Sequence, residues 1–109
     1  MEKINAIIQD KGISNKGIAW LKFVGITISH IENYAVPQYG PDITENSDVQ
    51  GAEDCRKYIA KYLRRAGSER RGRIEELRDL VKIAHFAQMA FDMMKPTEEE
   101  IKAIMEGRR

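Results

Sequence analysis

Three carboxylates raise the question of chemistry first. Glu75, Glu76 and Asp79 stand close together in the chain, and on a helix Glu75 with Asp79 (i, i+4) and Glu76 with Asp79 (i, i+3) project to one side. Oxygens so placed can converge on one hard divalent cation, magnesium above all, which takes one or two carboxylates and leaves room for substrate phosphates. The same residues also read as surface ion pairs, Glu75 with Arg78 and Asp79 with Lys82 at i, i+3. A second cluster is cationic. Arg64, Arg65, Arg70, Arg71 and Arg73 crowd the turn from Ala66 to Gly72, where guanidinium forks and exposed backbone amides suit a phosphate or a nucleic-acid backbone. From Arg56 to Arg78, nine basic residues face three acids. Base-specific reading by a helix-turn-helix is disfavoured, because Ile74, Glu75 and Glu76 occupy the start of the second helix, where base-reading polar side chains would stand. Cys55 lies on an apolar stripe and reads as a buried thiol rather than a nucleophile. His30 and His85 have no neighbouring ligand spacing for zinc.

Two resemblances attach to these residues. The run Glu75-Glu76-Leu77-Arg78-Asp79 resembles the Glu-Glu-x-x-Glu helix signature of the all-helical, MazG-like nucleoside triphosphate pyrophosphatases, with Asp in the last place. The resemblance implies magnesium held against substrate phosphates by Glu75, Glu76 and Asp79, together with a second Glu-x-x-Asp helix. Here that second element is incomplete, since Met89 stands where the Glu belongs before Asp92. The second resemblance runs from Glu53 to Phe91. Lys57-Tyr58-Ile59-Ala60-Lys61-Tyr62, the arginine-rich turn and Glu76-Leu77-Arg78-Asp79-Leu80 look like small helical proteins of phages and prophages, which implies an accessory protein of a mobile element without naming a reaction.

Two long amphipathic helices must position these groups. In the first, expected over Asp48–Ala66, Cys55, Tyr58, Ile59, Tyr62, Leu63 and Ala66 recur at three-and-four spacing, leaving most of the Lys and Arg off that stripe. In the second, expected over Arg73–Met94, Leu77, Leu80, Val81, Ala84, Ala87, Phe91 and Met94 form a broad apolar stripe, widened by Ile83, Phe86, Ala90 and Met93. Such width predicts a central helix and, beyond it, a homodimer interface built partly from Ile83, Phe86, Ala90 and Met93. Upstream, Ile4, Ile7 and Ile8 suggest a short helix, turn formers occupy residues 10–17, and Ile18–Ala35 reads as a helix despite Gly25 and its β-branched run, because no second strand-like segment offers a pairing partner. Pro37 and Gly40-Pro41 should end that helix and open a long loop over residues 36–47. Tyr39 is its candidate recognition residue, loops of that length often being functional. Ser47 to Gln50 offers a capping box, and Thr97 with Glu100 offers another for a short C-terminal helix within residues 97–107.

At 109 residues the chain fits one domain with a core that needs neither metal nor disulfide. Eighteen Lys and Arg oppose seventeen Asp and Glu, so no overall field draws the protein to polyanions and any such binding must be local. One cysteine, no leader-like run at Met1–Asp10 and no apolar stretch long enough for a bilayer point to a cytoplasmic protein without membrane partners. The expectation is therefore an all-α, single-domain bundle of four to five helices around a central antiparallel helical hairpin. Its expected role is a non-enzymatic interaction or accessory protein requiring no cofactor. The alternatives are a magnesium-dependent nucleotide pyrophosphohydrolase and a nonspecific nucleic-acid or phosphate binder at the basic turn.

Overall fold

A computed structural model describes residues 12–40, 49–67 and 69–107, and every regular element among them is helical. Helix α1 spans Asn15–His30, continues through a π-helical turn at Ile31–Ala35, and runs into the short α2, Val36–Tyr39. Helix α3 covers Ala52–Arg65, a 3-10 turn covers Glu69–Arg71, α4 covers Arg73–Met93 and α5 covers Glu98–Met105.

Local chemistry moves several expected boundaries. Helix α1 begins inside the presumed turn because the Ser14 hydroxyl accepts the Gly17 amide at 3.3 Å, a side-chain N-cap. Pro37 does not end the helix. The preceding turn widens to i→i+5 bonding, with the Val36 amide donating to the Ile31 carbonyl, which leaves room for a ring that would clash in a regular α-turn. Gly40, at φ 92°, is the actual stop. The expected loop thus starts at Gly40 rather than Val36, and its remainder to Asp48, the Ser47–Asp48 cap and the N-terminal helix at Ile4–Ile8 lie outside the described residues. Helix α3 starts at Ala52 rather than Asp48, and the Asp54 carboxylate folds back to accept the Gln50 amide at 3.0 Å. At the far end Thr97 and Glu100 make both bonds of a capping box, at 3.1 and 2.9 Å.

The core lies between α3 and α4. Val49, Cys55 and Met89 are buried there, with Tyr58, Phe86, Ala90 and Met93 packed around them. The start of α3 meets the end of α4, as the 3.9 Å approach of Cys55 Sγ to Met93 Sδ shows. Further along, Tyr58 stacks on Phe86 with ring centroids 4.9 Å apart, and Tyr62 stacks on the same ring at 5.9 Å. Such offset aromatic contacts add to the burial of apolar area. Helix α1 leans on α4, and in the π-turn that follows it the Tyr34 ring lies under Arg78. No residue of α1 is buried, and Ile18, Trp20, Leu21, Ile26 and Ile28 stand exposed.

The wide stripe of α4 divides differently from the sequence reading. Phe86, Ala90 and Met93, expected at a dimer interface, pack inward on α3, and Ile83 is half-buried. Leu77, Leu80, Phe91 and Met94, expected in the core, are exposed. The reason is helical phase: Phe86, Met89, Ala90 and Met93 share the side that the Tyr58 and Tyr62 rings cover, and Leu77, Leu80 and Phe91 lie nearly opposite.

Candidate functional site

The turn between α3 and α4 gathers most of the residues that could do chemistry. Gly67 and Gly72 bracket it with φ of 82° and 83°, a left-handed geometry that glycine adopts without steric cost. This reversal carries Arg71 back along α4. Its Nη1 donates to Asp79 Oδ2 at 2.8 Å and its Nη2 to Glu75 Oε2 at 3.1 Å. Arg78 pairs with the other oxygen of Glu75. Glu75 and Arg78 therefore form the i, i+3 pair legible in the sequence, but Asp79 turns to Arg71 rather than Lys82. Asp79 is only 2% exposed, and its Oδ1 has no hydrogen-bond partner among the described residues.

These contacts decide what the acidic trio can do. Glu75 is bound through both oxygens by guanidinium groups, Asp79 through one, and Glu76 takes no part in the network. A magnesium ion would have to displace Arg71 and Arg78 from carboxylates they already neutralise. Among the described residues, no group of three or more His, Cys, Asp or Glu is arranged to hold a metal ion. Glu75 and Asp79 thus close the turn as an internal ion-pair network with Arg71 and Arg78, and Glu76 stands outside it.

The arginines of the turn are not equivalent. Arg71 belongs to the acidic network, whereas Arg64, Arg65, Arg70 and Arg73 have no ion pair among the described residues. Arg65 instead lies over the Tyr62 ring at 5.6 Å, which Lys61 and Lys82 also approach at 5.8 and 5.2 Å. Burial pushes the Lys82 ammonium below the ordinary lysine range, and the nearby charges of Asp79 and Glu75 partly offset this. Sequence reasoning set Lys57 and Lys61 apart only as off-stripe residues. Spaced i, i+4, i+7, Lys57, Lys61 and Arg64 share the side of α3 turned away from the core and line a shallow open depression with Asp54 and Tyr58. That spacing was the available signal.

No family model, curated protein or solved structure matches this chain. What the site does must be read from its own geometry. Two groups considered for catalysis are unsuited to it. Cys55 is fully buried, and burial foremost, then the charge of Asp54, raises its thiol pKa, keeping it protonated and shielded. His30 and His85 are held below the ordinary histidine range by burial, with Lys82 and Arg78 acting further on His30, and His30 on His85. His30 stacks on Tyr34 and His85 lies beside Phe86. Tyr39 is the last residue of α2. Among the described residues, no helix is long and apolar enough to cross a membrane.

Proposed function

We propose that this chain is a non-enzymatic helical interaction protein, an accessory factor of the phage or prophage kind, organised on an antiparallel α3–α4 hairpin, whose basic α3 face engages an acidic partner. One observation carries the reading. Glu75 and Asp79 are taken up by Arg71 and Arg78, whereas Lys57, Lys61, Arg64, Arg65, Arg70 and Arg73 have no ion pair among the described residues. The near-neutral composition therefore separates into an internally neutralised network and an outward cationic surface, the kind of local field that attracts polyanions. The arrangement also favours partner binding over chemistry, since both Glu75 oxygens are already held.

The test is anisotropy of a labelled single-stranded oligonucleotide, repeated with inorganic polyphosphate. With about six phosphate contacts, affinity should fall by about a hundredfold or more between ~50 and ~200 mM salt. The Lys57→Glu, Lys61→Glu variant should lose binding while keeping its helical signal. A salt-independent affinity, or binding indifferent to these substitutions, would remove the basic face from the reading. A rise in melting temperature with magnesium and nucleotide, abolished in Asp79→Ala, would move the assignment to the pyrophosphohydrolase alternative.

A further inference from the structure

Helix α4 uses two of its sides within the chain. Phe86, Met89, Ala90 and Met93 serve the core with α3, and Arg78 meets Tyr34 next to α1. Its third side carries Leu77, Leu80, Ala84, Ala87, Phe91 and Met94, which alternate three- and four-residue steps from the first turn to the C-cap. On a straight helix these six fall within a sector about 100° wide. Leu77 is 45% exposed, Leu80 50%, Phe91 43% and Met94 66%. Ala87 is exposed too, and Ala84 is half-buried. No charged residue of α4 interrupts the six, and at their C-terminal end the Arg56 guanidinium of α3 approaches Met94 Sδ at 3.8 Å.

We propose that a second copy of this chain covers this face, the two α4 helices lying antiparallel across a two-fold axis. The three-four alternation is the spacing of a seam in which side chains of one helix fill the gaps of another. A two-fold interface requires one surface to complement itself, and this one does. Antiparallel pairing sets Leu77 of one copy against Met94 of the other, Leu80 against Phe91, and Ala84 against Ala87, so that bulky layers flank a central layer small enough for close approach. Charge chooses the direction. Glu76 and Lys95 stand immediately outside the two ends of the stripe; antiparallel helices bring Glu76 of one copy level with Lys95 of the other, whereas parallel helices oppose like charges. A 21-residue helix is about 31 Å long, and a strip of that length covers on the order of 500 Å² per copy, or roughly 1,000 Å² in total, where specific interfaces begin. Because α3 packs on the opposite side of α4, both basic faces stay outward, and the dimer stands independently of any polyanion binding.

Sedimentation equilibrium on the full chain across micromolar concentrations reads the proposal directly. The apparent mass should rise toward twice that of the monomer. Leu80→Glu with Phe91→Glu should stay monomeric with an unchanged helical spectrum, since both side chains are already exposed, while Ile28→Glu on α1 should leave the dimer intact. For direction, a mixture of Leu80→Cys and Phe91→Cys chains should cross-link on mild oxidation, and neither variant should cross-link alone; the native Cys55 is fully buried and does not compete. A monomer at every concentration, or a dimer that survives the double glutamate variant, overturns the proposal. Cross-linking of Leu80→Cys with itself overturns the antiparallel arrangement.

Discussion

The most consequential single contact is that of Arg71 with Asp79. A carboxylate at 2% exposure is tolerable only while a cation and hydrogen bonds replace water, and here one oxygen has Arg71 at 2.8 Å while the other has no partner among the described residues. Arg71→Ala should therefore destabilise the protein by about 3 kcal/mol, measured by urea unfolding at neutral pH, because it strands a buried charge. Asp79→Asn should cost less, and adding it to Arg71→Ala should restore part of the loss. Sequence reasoning could see Glu75 with Arg78, a pair set by helix spacing alone. It could not see Arg71 with Asp79, which depends on how the 3-10 turn returns along α4. The histidines give a pH dependence of definite sign. Burial lowers the folded-state pKa of His30 and His85 below 6.5, so in the window just below that value the unfolded chain binds more protons than the folded one. Stability should be full above about pH 6.5 and fall as pH drops through the lowered values. His85→Gln should flatten that decline in thermal melts taken between neutral and mildly acidic pH.

Among the elements, α4 separates what periodicity can and cannot say. Its apolar residues occupy far more than one stripe, and sequence alone has no means of ranking the sides, since Leu80 and Phe91 are as hydrophobic as Phe86 and Met93. The ranking comes from α3, whose Tyr58 and Tyr62 rings lie against Phe86. Phe86→Ala should accordingly cost about 3 kcal/mol by leaving a cavity between two rings. Phe91→Ala should cost well under half as much in dilute protein, and the same urea titrations decide both. Helix ends were more legible where one side chain defines them, as Thr97 and Glu100 do for α5. They are not legible where backbone adjustment competes with a residue's habit, as at Pro37, where a π-turn carries the helix on to Tyr39.

At the scale of the whole molecule, the described residues form a small core between α3 and α4 with large apolar surfaces outside it, no buried residue on α1 and a largely exposed seam on α4. Self-association by the seam predicts a melting temperature that rises with protein concentration, by mass action on the folded state, and that becomes concentration-independent in the Leu80→Glu, Phe91→Glu variant; differential scanning calorimetry at two concentrations settles it. The sequence by itself determined the helical class, the positions of the long helices and the local excess of cations around the turn, because spacing, capping and charge are properties of neighbours along the chain. Only the tertiary structure decided that Arg71 reaches Asp79 and Glu75, that Lys57, Lys61 and Arg64 present the open cationic surface, and that Phe86 is core while Phe91 is surface. Those outcomes depend on which helix covers which side of α4, and that is fixed by packing between residues far apart in sequence.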